Sequence, residues 1–223
     1  LGILSMIIFG AMQQMMPVLA GAIIKKPRFF ANVVHTSLVF GTLFLSFSFI
    51  LELRNLLFIG ATFLAIAFLT FFIMSIKLLF NVKFLTSTVK AMRLFSLAGL
   101  ITLFLGLNLT FDESYYIVVF LHILFALFGF ALLLIMGVSF QVIPMFYVAL
   151  DFPKFVQNKM PLILFILLFV SAVFLYLDIN FFILKIIFTT LIISICFYGL
   201  KSLNNRRRPV FDATLWYWKL SLS

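Results

Sequence analysis

Charge is what this sequence has least of. Of its 223 residues only 10% are charged and six are acidic, whereas 65% are hydrophobic and the mean hydropathy is +1.30. A chain of this composition cannot bury its apolar surface in a water-soluble core, so lipid must be its solvent. Cysteine is nearly missing as well. Cys196 stands alone in an apolar run, can form no intrachain disulfide, and reads as a small buried hydrophobe. No His/Cys group has zinc spacing, and no phosphate-binding loop, G-x-S-x-G or Walker pattern occurs. Ionisable groups are almost absent from the apolar runs, unlike most proton-coupled carriers. Asp112 and Glu113 lie in a connection and form no buried acidic dyad. A net charge of +10 would suggest nucleic acid in a soluble domain, but here the basic residues fall between apolar runs. The positive-inside rule accounts for them, so the expected partner is the lipid bilayer and not nucleic acid.

What is present is a series of continuously apolar runs, too long and too uniform for alternating strands, so each is read as a helix. Seven spans are predicted, at 1–24, 30–51, 56–79, 94–110, 115–143, 161–177 and 181–200, with an eighth starting near Trp216. Connections alternate in charge. Those after spans one, three, five and seven carry Lys25, Lys26 and Arg28, then Lys83 and Lys90, then Lys154 and Lys159, then Lys201 and Arg206, Arg207 and Arg208. Those after spans two, four and six carry Glu52 with Arg54, Asp112 with Glu113, and Asp178. This places the start of span one outside and the end of span seven in the cytoplasm of a plasma (bacterial inner) membrane. Lys185, near an outer end, can snorkel. Tyr115, Tyr116 and Tyr176 fall at outer interfaces, and Tyr147, Tyr198, Trp216, Tyr217 and Trp218 at inner ones. Leu1 opens within an apolar run and Ser223 falls as another begins, so an internal piece of a longer chain is expected.

The chain also repeats. Gly2, Ile8, Gly10, Gln14 and Pro17 recur 127 positions later as Gly129, Ile135, Gly137, Gln141 and Pro144. Pro27, Arg28, Phe29 and Asn32 recur after 126 as Pro153, Lys154, Phe155 and Asn158, and Thr88, Arg93 and Leu94 as Thr214, Lys219 and Leu220. Glutamine and proline matches carry the weight, because the chain has only four Gln and six Pro. An even number of crossings per unit keeps both copies in one orientation. The expected fold is therefore an all-α polytopic membrane protein built as a parallel four-helix repeat, units 1–114 and 115–223, each incomplete at one end.

Within span one, Gly10, Gln14, Pro17 and Gly21 share a narrow helical face, and span five repeats it with Gly137, Gln141 and Pro144. Small residues admit a close neighbour, and a glutamine in lipid should point inward and find a partner. Pro17 also frees the carbonyl four residues earlier. Gln14 and Gln141 then either satisfy a neighbour or that carbonyl, or line an ion or proton path. The two histidines lie at different depths, His122 near the outer third of span five and His35 near the cytoplasmic third of span two. A single iron cannot bridge them. His35 reads as a hydrogen-bonded or interfacial residue. His122 is the candidate ligand, with Gly129 seven residues on, on the same face, leaving room beside the imidazole.

The segment from His122 to Phe146 resembles the haem–copper oxidase subunit I superfamily, near its C-type oxidase and nitric oxide reductase branch. Leu121-His122-Ile123, Leu127-Phe128-Gly129-Phe130 and Gly137-Val138-Ser139-Phe140-Gln141-Val142-Ile143-Pro144-Met145-Phe146 carry the resemblance. It is sharp over about 25 residues and architectural elsewhere, since that family's fold is also built of four-helix arcs. It implies haem and copper as cofactors, a cytochrome c-type electron donor or other membrane subunits as partners, and His122 as the position for a haem or metal ligand, with His35 far weaker. Phe120 stands where an H-x-H pair would begin and Phe130 where tryptophan is usual, so these residues cannot complete a binuclear centre. A histidine is expected upstream of Leu1, at the repeat position of His122, with a third four-helix unit in the parent chain. The alternatives are a secondary transporter or permease and a cofactor-free structural membrane subunit.

The charge alternation makes a direct prediction. An impermeant thiol reagent should label cysteines placed in the Asp112 connection from outside and leave those in the Lys83 connection protected; the reverse pattern would overturn the orientation.

Overall fold

The computed structural model describes residues 2–111, 116–207 and 213–223. All of its regular structure is helical: α1 (Gly2–Ala20), α2 (Pro27–Leu51), α3 (Arg54–Phe80), α4 (Ser87–Phe111), α5 (Tyr116–Leu124), a π-helical segment (Phe125–Leu132), α6 (Leu133–Tyr147), α7 (Lys154–Tyr176), α8 (Phe182–Asn204) and α9 (Ala213–Leu222). Helices α5 and α6 and the π segment form one continuous 32-residue run, giving seven helices among the described residues that are long and apolar enough to cross a membrane.

The boundaries that differ from the sequence reading have local causes. α1 stops at Ala20, not at residue 24. Gly21 takes φ +63°, its N–H donates to the Pro17 carbonyl at 3.1 Å, and the Ala22 N–H donates to that of Met16 at 3.0 Å. This is a Schellman ending, so Gly21 closes the helix and does not extend the Gly10–Pro17 face. α4 begins seven residues earlier than expected, because the Thr86 hydroxyl accepts the Val89 N–H at 3.2 Å and caps a polar first turn. α7 likewise begins before Pro161, which sits inside it. Its polar opening turns are held by Gln157 Nε2 donating to the Phe152 carbonyl (2.9 Å) and Asn158 Nδ2 to that of Lys154 (3.0 Å). α9 starts three residues before Trp216.

By packing, the chain forms two compact units. One comprises the chain up to Leu85 and from Phe95 to Ala131; the other comprises Thr86–Leu94 and Leu132–Ser223. In the first, α2 and α3 form a tight antiparallel hairpin joined at Glu52, which takes φ 55°. A Cβ on Gly60 would lie 2.7 Å from the Leu45 nitrogen and 3.1 Å from the Gly41 carbonyl, so the two backbones touch. The core of this unit is phenylalanine. Phe9 stacks on Phe71 with centroids 3.9 Å apart and meets Phe68 and Phe130 edge-on at 5.0 and 5.9 Å, while Phe95 stacks on Phe130 at 5.3 Å. Gly99 leaves the space that the Phe72 ring fills.

In the second unit Gly137 lies against Ala91. Lys90 Nζ donates to Asn158 Oδ1 at 3.3 Å, which ties the start of α4 to α7. The Tyr147 hydroxyl donates to Thr214 Oγ1 at 3.0 Å, and Ser202 Oγ to the Leu150 carbonyl at 2.6 Å, which hold α9 and α8 to the end of α6.

The α2–α3 contact yields a prediction. A methyl at Gly60 meets backbone that cannot turn aside, so Gly60→Ala should destabilise the protein by roughly 1–3 kcal/mol, read from detergent-induced unfolding in mixed micelles. Unchanged stability would contradict the close approach.

Candidate functional site

His122 is the seventh residue of α5 and is half-buried. Its ring lies against α4, where Nδ1 is 3.0 Å from the Thr102 carbonyl oxygen. A carbonyl only accepts, so Nδ1 carries the proton and donates it. In the neutral ring Nε2 then keeps its lone pair. One turn further along α4, a Cβ on Gly106 would sit 2.9 Å from His122 Cε1, so the glycine lets the imidazole lie on the helix backbone. Thr102 is itself buried, and its hydroxyl donates to the Ala98 carbonyl at 2.9 Å. The hydroxyl is therefore engaged along its own helix, and the Thr102 main-chain oxygen is what meets the ring.

The glycine that meets the ring is Gly106 on α4, and the face that the sequence assigns jointly to His122 and Gly129 is not continuous α-helix. The reason is the π segment, which starts three residues after His122 and breaks the α-helical register on which the seven-residue spacing relied. The segment also has a packing logic. Phe125 and Phe130 are both buried, at 2% and 4% exposure. Five residues apart in an α-helix, they would diverge by about 140°. Bonding from i to i+5 turns both toward the core.

His35 sits on α2, half-buried, with Cε1 4.0 Å from the position of a Gly10 Cβ. Its ring has no hydrogen bond among the described residues, so the carbonyl partner considered for it is not found there. The two histidines therefore rest on different helices, His35 over α1 and His122 over α4. Among the described residues no group of three or more His, Cys, Asp or Glu side chains could hold a metal ion.

The glutamine expectation needs correction. Gln14 is exposed and Gln141 half-buried, and neither amide has a hydrogen bond among the described residues. The buried stripe of α1 runs through Ser5, Ile8, Phe9, Met12 and Met16, which turns Gln14 outward and its neighbour Gln13 inward. Gln13 Nε2 is buried with no partner among the described residues. Pro17, lacking an N–H, also leaves the Gln13 carbonyl without its helical donor. Gly10 and Pro17 are half-buried, while Gly137 is buried and Pro144 half-buried. Asp112, Glu113, Tyr115 and Arg208 lie outside the described residues.

Thr102, Gly106, Gln13 and the π segment were not singled out from the sequence. Only the phenylalanine pair five apart carried a readable signal, and only for the last of these.

Seven apolar spans with helix-satisfied backbones define an integral, polytopic α-helical membrane protein. Comparison of the chain with protein-family models, with curated proteins and with solved structures finds no match.

The tautomer is testable. In a His35→Ala chain, where His122 is the sole histidine, the ¹⁵N spectrum should show a protonated Nδ1 and an unprotonated Nε2. A spectrum dominated by the Nε2–H tautomer would contradict the bond to Thr102.

Proposed function

We propose that this is a membrane redox protein related to haem–copper oxidase subunit I, in which His122 would hold a haem iron. The observation that carries the reading is the hydrogen bond from His122 Nδ1–H to the Thr102 carbonyl. Metal-ligating histidines almost always donate their second ring N–H to such an acceptor, which fixes the tautomer and the ring plane and leaves the other nitrogen for the metal. Among the described residues His122 is the one side chain placed to hold a haem iron. The described residues bring together no three ligands of the kind copper takes. When bound, haem supplies one-electron chemistry. The chain's own residues would orient the imidazole through the Thr102 carbonyl and let it approach α4 closely at Gly106. A π segment three residues beyond also supports the reading, because such segments are frequent at functional sites. The repeat belongs to the same proposal. Gly21 and Val148, 127 positions apart, both end their helices at positive φ, +63° and 48°, four residues after a proline. Electrons would come from a cytochrome c-type donor or another membrane subunit.

A transport reading stands second, supported by the buried Gln13 Nε2, which has no partner among the described residues and lies one turn before Pro17. Visible absorption separates the two. The purified full chain should show a Soret band that His122→Ala abolishes and His35→Ala retains, with circular dichroism confirming that both variants stay helical. A colourless helical protein would overturn the haem reading, and substrate-dependent flux in liposomes would then favour transport.

A further inference from the structure

We propose that the outer face of α3 is a binding site for an anionic phospholipid, with an acyl chain along the helix and the phosphate on Lys77. This is independent of the haem reading. A shallow, open concavity of about 400 Å³ lies on α3, lined by Ile66, Leu69, Thr70, Ile73, Met74 and Lys77. These residues recur at three- and four-residue intervals and so form one stripe of the helix. The stripe is apolar except for Thr70 at its middle and the ammonium at its end. From Ile66 to Lys77 is eleven residues, or about 16 Å of helix. One leaflet of hydrocarbon is about 15 Å deep, half of the ~30 Å core. Lys77 lies three residues before the end of α3, where a span of this length would meet the membrane surface, and Ile66 lies near the middle of the helix. The groove thus has the length of one acyl chain and a cation where that lipid carries its charge.

The cation is available. Lys77 is exposed, and its ammonium has no hydrogen bond or ion pair among the described residues. Lys83 follows in the next connection, and α3 holds no acidic side chain to compete for Lys77. A zwitterionic lipid would fill the groove equally well but would gain less at the ammonium. An apolar helix seated there would offer the Lys77 ammonium no anionic partner and leave it to snorkel into water. Charge complementarity therefore selects the anionic lipid over a protein occupant.

The test places a reporter in the groove. Ile73→Trp is made in the full chain, the emission of Trp216 and Trp218 is subtracted using the parent protein, and the chain is reconstituted in mixed phosphatidylglycerol–phosphatidylcholine vesicles. One lipid at a time is brominated, at equal mole fraction. Brominated phosphatidylglycerol should occupy the groove about fivefold more than brominated phosphatidylcholine, the effect of one basic residue at an anionic surface. Added salt should reduce that ratio, Lys77→Arg should keep it, and Lys77→Gln should bring it to one. Quenching by phosphatidylcholine in the Lys77→Gln chain shows that the variant is folded with its groove open. Equal quenching by the two lipids with Lys77 intact would overturn the proposal in favour of a non-selective lipid annulus. No quenching by either would overturn it in favour of a helix or a second copy covering the groove.

Discussion

Every main-chain N–H and C=O that enters hydrocarbon must find its partner within the chain. That constraint fixes the helical class, and the rest of the structure follows from where it is met and where it is relaxed. Hydroxyls obey it by bonding back along their own helices: Thr42 to Leu38, Thr62 to Phe58, Ser171 to Leu167 and Ser194 to Thr190, all at 2.7–2.8 Å. It is relaxed at Pro17 and Pro144, which withhold a donor in the last turn of their helices, and in the π segment, which redirects donors by one residue. The candidate functional features gather at these lapses. Gln13 lies opposite the missing Pro17 donor, and His122 just precedes the π segment.

Lipid tails are as apolar as leucine, so hydrophobicity cannot drive these helices together, and shape must. Glycine and phenylalanine divide that task. Gly41 and Gly60 bring α2 and α3 to backbone contact, and Gly99 holds the Phe72 ring. The stacked rings of Phe9, Phe71, Phe95 and Phe130 then fill what remains. The same device recurs where the glycine faces a polar ring, with Gly106 beneath His122 and Gly10 beneath His35. Both histidines thus share one packing geometry, which is why the Thr102 hydrogen bond, and not the glycine, distinguishes His122 from His35.

Much of the fold was legible because span length and hydropathy depend on composition alone. All seven spans appear where the apolar runs lie. The ends were less legible, since a cap such as Thr86 or a Schellman turn at Gly21 depends on one or two bonds that no hydropathy window weighs. The candidate site was legible only as His122. Its partners, Thr102 and Gly106, are unremarkable residues about 20 positions upstream, and main-chain carbonyls leave no mark in a sequence. Gln14 was misplaced because a helical wheel ranks neighbouring positions but does not say which face a protein buries. Gln13 and Gln14 are only about 100° apart.

The π segment bears on how this span can change length. A helix bonded from i to i+5 holds one residue more than the α-helix of the same endpoints. Deleting one residue between 125 and 132 therefore returns the stretch to ordinary α-helix and leaves the phase of the flanking residues intact. The same deletion elsewhere in a span turns everything beyond it by about 100°. The stretch after His122 is thus a place where this chain can lose a codon without rotating a helix, at the expense of the Phe125–Phe130 alignment alone.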